Sequence, residues 1–207
     1  MSGWDWAGIA GLGIFHGINP AMGWLFAVAL GLQERSRRAL LLALIPIAIG
    51  HEVSIGLVVL LVEELRVLAS DTPITIAGAV LLALLAAWQI VRSHRHPRWV
   101  GMRLRPRELA LWSFVMSTAH GAGLMLFPFV LGIHVAGGSD VPAVSGLLLA
   151  GAAIGLHVLA MIVVAGAIAL FVYEFVGVGF LRRGWLNLDR LWAYALAAGA
   201  AATLLIA

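Results

Sequence analysis

The sequence predicts an all-α polytopic membrane protein with six transmembrane helices arranged as two inverted three-helix repeats. The chain has 207 residues, of which 62% are hydrophobic and only 11% charged, whereas a soluble domain has roughly 25% charged residues. Six apolar runs reach the length of about 20 residues that a spanning helix needs. These runs are too long for barrel strands, and in lipid only helices or closed barrels satisfy their own backbone hydrogen bonds. The third observation is a set of histidines that recurs in both halves of the chain.

The predicted spans form a single transmembrane domain over residues 1–207. They lie at 7–31, 38–62, 73–92, 108–133, 141–173 and 188–206, with ends uncertain by about 2–4 residues. The first repeat covers about 7–92, a basic linker follows at 93–107, and the second repeat covers about 108–206. Because three spans is an odd number, the second repeat enters the membrane from the opposite side. A binding site is then expected at the midplane, where the two repeats meet.

Arginine placement predicts the orientation. All but one of the 13 basic residues lie in the first, third and fifth connections between spans, and every one is an arginine. Basic loops face the cytoplasm, so both termini are predicted outside the inner (plasma) membrane. This bias explains the positive charge and gives no reason to expect nucleic acid. The lipid bilayer is the expected environment, and a homo-oligomer or an accessory subunit is left open. No basic segment precedes the first run, so we expect no cleaved signal peptide.

Four of the seven histidines fall well inside predicted spans, and they are His16, His51, His120 and His157. They occupy the first and second spans of each repeat, in matching local sequences. A His-Gly pair occurs in the first span of both repeats, and an Ile-Gly pair comes just before the histidine of the second span. An ionisable residue inside a span indicates a functional site. Imidazoles from four helices would form a metal site suited to nickel, cobalt, zinc or copper.

Other polar groups are predicted to complete this site. Asn19 shares a helical face with His16 and would bind the ion together with backbone carbonyls freed at the following proline. Glu52 follows His51 and is the candidate for proton coupling or for orienting a ligand. Met116 and Met161 each lie one helical turn from a histidine. Thioether ligands would favour Cu(I), although both methionines are more simply explained as core residues.

Three prolines are predicted to break the helices that carry the histidines. Pro20 would interrupt the first span, Pro46 the second and Pro128 the fourth, because proline removes a backbone donor and kinks a helix. The carbonyls freed in this way are tolerated in lipid only where they face protein or a cavity. Glycine pairs at Gly13/Gly17 and Gly151/Gly155 would allow close approach of helices beside the histidines.

The inverted triplets, the His…Asn-Pro element of the first span and the His-Gly element of the fourth resemble the lysine-exporter-type transporter superfamily. The likeness is nearest to small nickel/cobalt-type permeases and to sulfite- or urease-accessory-type membrane proteins. It implies transport of a small ion or solute, with His16, Asn19, His51, His120 and His157 at the site. The chain departs from the permeases in lacking a His-x4-Asp-His motif, and it lacks the histidine-rich loop of the exporters. Related thiol-electron carriers need paired cysteines, and this chain has none.

The sequence therefore favours a secondary transporter, either permease or exporter, for a transition-metal cation held by midplane histidines. The main alternative is a membrane redox protein or intramembrane metalloenzyme in which the same four histidines hold haem or a catalytic metal. A third interpretation is a partner subunit whose histidines only lock helices together. Whether the protein is an enzyme is left open, with transport preferred.

Overall fold

Helices account for nearly all of the residues described by the computed structural model, which are 2–68, 70–92, 105–137, 143–176 and 188–206. In chain order they are α1 (Gly3–Ile18), α2 (Trp24–Glu34), α3 (Arg37–Leu68), α4 (Asp71–Arg92), α5 (Pro106–Ala119), α6 (Ala122–Gly137), α7 (Ala143–Phe171) and α8 (Leu188–Ile206). A short 3-10 helix at Pro20–Met22 joins α1 to α2, and α7 continues into a π turn at Val172–Val176. No strand occurs in these five ranges, so the all-helical prediction is confirmed for them.

Three helices are long and apolar enough to cross a membrane, at Arg37–Arg66, Thr72–Val91 and Leu148–Val176. The pair Pro106–Ala119 and Ala122–Phe129, bent by 57°, makes a fourth if it counts as one span. Within the described residues, the first predicted span is split into the shorter helices α1 and α2, and the sixth is represented by the short apolar segment Ala193–Leu205. The membrane character expected from composition is therefore supported by three or four candidate spans.

The break between α1 and α2 is built by local sequence. Asn19 ends α1, and its side-chain oxygen accepts a hydrogen bond from the Ala21 N–H at 3.0 Å, which caps the 3-10 helix that begins at Pro20. Proline cannot donate the hydrogen bond that would continue α1. Gly23 then adopts a left-handed conformation with φ of 115°, which glycine accepts without steric cost. The predicted interruption at Pro20 is present at this point of the structure.

The second break lies at a different place from the one expected. Between α5 and α6 the chain turns at His120–Gly121, where Gly121 has φ of 68°. Pro128 lies inside α6, and Pro46 lies inside a continuous α3. The predicted interruptions at Pro46 and Pro128 are therefore wrong. A proline inside a long helix removes one backbone hydrogen bond and leaves the rest of the helix in place, whereas a positive φ ends the helix.

Two apolar layers stack along the bundle. One joins α2, the first part of α3, the start of α5 and the last part of α7, and includes Trp24, Leu40, Ile47, Leu109 and Ala169. The other joins α1, the later part of α3, α6 and the first part of α7, and includes Ile9, Ile55, Leu126 and Ala153. The parts of α3 and α7 that pass between the two layers carry His51 and His157. The expected midplane site would therefore lie in the interior between the two layers.

The helix ends beside the arginine-rich connections lie together at one end of the bundle. Arg37 at the start of α3 forms a two-contact ion pair with Glu174 after α7, with N···O distances of 2.5 and 2.9 Å. Leu109 near the start of α5 packs in the same layer as Leu40 and Val172. If the arginine-rich connections all face one side of the membrane, the helix ends that adjoin them must lie at one end of the bundle, as they do here. The assignment of that side to the cytoplasm stays a prediction.

Close helix contacts are made where glycine removes a side chain. A Cβ at Gly13 or Gly17 of α1 would overlap backbone atoms of α7 at His157 and Met161, and one at Gly50 of α3 would overlap the Ala110 backbone of α5. The packing expected at Gly13 and Gly17 is therefore confirmed. The packing expected at Gly151 and Gly155 is wrong within the described part of the chain, because a Cβ at either would meet none of its atoms within 4 Å.

Candidate metal centre

Three of the predicted histidines meet in the interior, and we call His16, His51 and His157 the histidine triad. They come from the end of α1, the middle of α3 and the middle of α7, and each has a relative exposure of 0%. Each can offer one ring nitrogen such that all three nitrogens lie within 4.8 Å of one another. The glycine contacts of α1 with α7 explain how His16 comes so near to His157, since Gly13 and Gly17 flank it in sequence.

The rings of the triad are packed against one another. The ring of His16 lies edge-on to those of His157 and His51, with centroid separations of 4.8 and 5.2 Å. The rings of His51 and His157 are nearly parallel, with an interplanar angle of 10° and centroids 5.5 Å apart. The spacing leaves no room between the rings for a porphyrin. The geometry therefore favours a single small ion over haem.

The separation of two ring nitrogens matches the requirement of a shared metal ion. Nε2 of His51 lies 3.4 Å from Nε2 of His157. Two nitrogens bound tetrahedrally to one ion at about 2.0–2.1 Å would lie about 3.3 Å apart. An ion placed between these atoms therefore needs almost no change in their spacing.

Backbone carbonyls fix the direction of two rings. Nδ1 of His16 lies 2.8 Å from the Leu12 carbonyl oxygen, and Nδ1 of His157 lies 3.3 Å from that of Ile9. A carbonyl can only accept, so each Nδ1 carries the hydrogen and donates it. The lone pair of each neutral ring is then on Nε2. Metal-binding histidines commonly show this arrangement, in which a hydrogen bond at one nitrogen selects the tautomer and orients the other nitrogen.

His51 differs from the other two members of the triad. Because Nε2 of His157 is an acceptor, Nε2–H of His51 is the donor across the 3.4 Å contact when no ion is present. Nδ1 of His51 is buried without a hydrogen-bond partner in the described part of the chain. Binding an ion at Nε2 would require its proton to leave or to move to Nδ1. His51 is therefore the ring whose protonation must change on binding.

His120, the fourth predicted ligand, lies outside the triad. Its Nδ1 donates to the Met116 carbonyl oxygen at 2.8 Å, which repeats the local bond of His16 to Leu12. It is buried, with 8% exposure, and is close enough to interact electrostatically with His16 and His51. The helix ends at His120, whereas α1 continues for two residues beyond His16. The site is therefore less symmetric than the spacing of four histidines predicts.

The polar groups at the first helix break, which were expected to bind the ion, already form hydrogen bonds within the protein. Asn19 uses its side-chain oxygen to cap the 3-10 helix. The Ile18 carbonyl accepts the indole N–H of Trp24 at 3.3 Å, and the Ala21 carbonyl accepts that of Trp112 at 3.1 Å. These bonds satisfy backbone groups that a break in lipid would otherwise leave exposed. The predicted coordination by carbonyls around Pro20 is therefore not supported at these two oxygens. The role of Trp112 was missed because its bond joins residues 91 apart in sequence, and that of Trp24 because its bond forms only across the helix break.

The three other candidates also lie outside the triad. Glu52 is exposed on the outer face of α3, because consecutive residues on a helix point about 100° apart. The structure therefore places Glu52 outside the site to which the sequence assigned it. Met161 is 1% exposed, and its backbone oxygen is packed against Gly17. Met116 is half-buried and contributes the backbone oxygen that holds His120.

Chemically, the triad offers three nitrogen ligands and an interior position between apolar layers. Within the described residues, the ligand group includes no carboxylate. Neutral imidazoles suit borderline divalent transition metals and Cu(I) better than Mg²⁺ or Ca²⁺, which prefer oxygen ligands. A hydrolytic site would also need an acid or base beside the metal, and Glu52, the sequence-based candidate for that role, points away.

No protein-family model, curated protein sequence or solved structure matches the chain. The likeness to lysine-exporter-type transporters consequently stays an expectation drawn from sequence features. Function is best argued from the contacts of the site itself.

Proposed function

We propose that this protein is a secondary transporter that carries a transition-metal cation of the nickel, cobalt, copper or zinc class across the membrane. The observation that carries the proposal is the buried histidine triad. Two of its rings are oriented by backbone carbonyls, and its closest nitrogen pair has the spacing of two ligands on one ion. A site for a transported ion must hold it strongly enough to replace water and weakly enough to release it. Among the described residues the triad offers three neutral nitrogen ligands and no carboxylate, so it would hold the ion without a fixed negative charge.

Helix packing supports an inverted repeat around the site. In the proposed arrangement, α1 corresponds to α5, α3 to α7, and α4 to α8. The pairing of α1 with α7 then has its counterpart in the pairing of α5 with α3, and α4 packs on α8. The matching bonds from His16 to Leu12 and from His120 to Met116 support the same relation. Six spans, with α1–α2 and α5–α6 as broken ones, would complete two triplets.

This arrangement suggests how the ion would pass. The triad combines α1 with α3 and α7, so its ligands come from both proposed repeats. A rocking motion of one repeat against the other would open the site first to one side and then to the other. The breaks after His16 and at His120–Gly121 lie beside the site and would serve as the points where the helix segments move relative to each other.

Metal binding is the first test. The purified protein in lipid nanodiscs is titrated with Ni²⁺, Co²⁺, Zn²⁺ and, under reducing conditions, Cu(I), and bound metal is counted after gel filtration. We expect one ion per chain in the wild type. We expect a loss of affinity of roughly 10²- to 10⁴-fold in His51→Ala and His157→Ala, if about 10–16 kcal/mol of binding free energy is shared among the three ligands of the triad. The matched control is His94→Ala, in the basic linker.

Transport is then measured in proteoliposomes that contain a metal-sensitive dye. The wild type should move the bound metal down an imposed gradient, and His51→Ala and His157→Ala should not. Stoichiometric binding without flux would refute transport and leave a metal-binding membrane protein. A wild type that binds none of the four metals, or triad variants that bind as the wild type does, would refute the metal site. An absorption band of haem in the purified protein would support the redox alternative instead.

A further inference from the structure

An ion pair joins the two longest helices at the arginine-rich end of the bundle. Arg37 at the start of α3 contacts Glu174, which lies in the π turn that follows α7. The two residues are 137 apart in sequence, so the contact is purely tertiary. In the proposed inverted repeat α3 and α7 are counterparts. The pair therefore links one repeat to the other, across the boundary at which a rocking motion would have to separate them.

The helices also touch directly beneath this ion pair. A Cβ at Gly166 of α7 would lie 3.1 Å from Cδ1 of Leu44 on α3. A Cβ at Gly31 of α2 would lie 2.9 Å from Cβ of Leu40 and 3.3 Å from Cδ2 of Tyr173, which follows α7. Carbon atoms in optimal contact are about 3.5–4.0 Å apart. Little space is therefore left between α3 and α7 at this end of the bundle.

An apolar layer separates the ion pair from the histidine triad. From Arg37 to His51 the helix α3 rises about 21 Å, at 1.5 Å per residue. The side chains in this interval cannot replace the hydration shell of a cation. For an ion to leave the triad between α3 and α7 toward the arginine-rich end, these helices must move apart. The members of the layer on α3 and α7 include Leu40, Leu44, Ile47, Ala165, Ala169 and Val172.

The ion pair is suited to a contact that opens and closes repeatedly. The Arg37 side chain is 70% exposed, so water can hydrate the charges when they separate. Exposed ion pairs contribute little to stability for this reason, whereas a buried pair would leave uncompensated charges on opening. Single π turns that interrupt or end α-helices are frequent at functional sites, and the one here carries Glu174.

We propose that Arg37 and Glu174 form the outer contact of a gate that closes the histidine triad toward the arginine-rich end, with the apolar layer beneath them as its inner part. Opening separates the first part of α3 from the last part of α7, breaks the ion pair and admits water to the layer. The structure is the closed state of this gate. Its role rests on the proposed transport function, but the closure itself is measured without any metal.

Thiol accessibility tests the gate, because the natural chain contains no cysteine. Ala169→Cys places a reporter in the apolar layer of the gate, and Ala153→Cys places one in the other layer; the two alanines are 0% and 2% exposed. In nanodiscs without metal, mass spectrometry follows their modification by a small cationic methanethiosulfonate. Arg37→Gln and Glu174→Gln should each raise the rate at position 169 by about 2- to 5-fold, the change in open fraction that loss of an exposed ion pair supports. The rate at position 153, beyond the triad, should not rise.

The design separates the ion pair from general effects of charge. Arg37→Gln and Glu174→Gln change the local charge in opposite directions, so a rise in both cannot come from attraction of the cationic reagent. The matched control is Arg38→Gln, which removes the same charge from the next residue, exposed and without an ion pair in the described part of the chain. This control should leave both rates unchanged. Exchange of the charges, by Arg37→Glu together with Glu174→Arg, should restore the wild-type rate. Ala43→Cys on α3, 4% exposed in the same layer, is the second reporter if Ala169→Cys does not fold.

Three results would overturn the gate. The first is modification at position 169 in the otherwise natural chain as fast as in SDS-unfolded protein. The second is a rate that does not change when the ion pair is broken. The third is an equal rise at positions 169 and 153, which would show a general loosening of the bundle. Metal binding and flux together with any of these would refute the gate alone, whereas the expected rates in a protein that binds no metal would support the closure and refute the proposed function.

Discussion

Substitution of Gly17 by alanine should disturb the packing and the proposed metal site together. A Cβ at Gly17 would lie 2.5 Å from the Met161 carbonyl oxygen, whereas carbon and a carbonyl oxygen in close contact are about 3.3 Å apart. The helix α1 must therefore move away from α7 by about 0.8 Å, right beside His16. Metal sites accept errors of only about 0.2 Å in ligand distance, so a movement of this size is enough to spoil the triad.

Gly11→Ala is the matched control, because a Cβ at Gly11 on the same helix would meet no atom of the described residues within 4 Å. Both variants gain the same helix propensity from alanine. Their difference therefore isolates the clash, which we expect to cost about 1–3 kcal/mol of unfolding free energy. Unfolding by SDS in mixed micelles gives this difference. Metal titration in nanodiscs should show at least about a tenfold loss of affinity for Gly17→Ala, as loss of ligand orientation usually causes, and no change for Gly11→Ala.

The two readouts can fail separately. Equal stability of Gly17→Ala and Gly11→Ala would refute the close contact of α1 with α7. If Gly17→Ala is destabilised but binds metal with unchanged affinity, the close packing of α1 on α7 is supported. The argument that the triad holds the ion is then refuted.

Two other predictions concern hydrogen bonds. Ser113→Ala should lower the unfolding free energy by about 1 kcal/mol, because the Ser113 hydroxyl donates a hydrogen bond to the Ile47 carbonyl at 2.7 Å. The control is Ser117→Ala, which removes a buried hydroxyl with no partner in the described residues. This control should be near neutral in the same SDS titration. Trp112→Phe keeps an aromatic ring but leaves the Ala21 carbonyl unsatisfied, so it should cost about 1–3 kcal/mol, and a variant as stable as the wild type would contradict the role of the indole.

Much of the fold followed from local patterns that act within a few turns of helix. Apolar runs predicted the helical segments, and Asn19-Pro20 predicted the first break, because a missing N–H ends a helix whatever packs around it. The break at Gly121 was not predicted. A glycine in an apolar run looks the same whether its φ is negative or positive, and the difference here arises where neighbouring helices pack around the turn.

The sequence by itself determined that apolar helices dominate and that His16, His51 and His157 lie deep within them, because burial depth follows from position along a helix. Which side chains face one another was decided only by tertiary structure. Contact of α1 with α7 joined three histidines, the end of α5 left His120 beside them, and the rotation of α3 turned Glu52 outward. Rotation and crossing of helices depend on close contacts such as those of Gly13, Gly17 and Gly50 with backbones far away in sequence. Such contacts leave no periodic signal in the chain, so only the packed structure distinguishes a ligand from its neighbour.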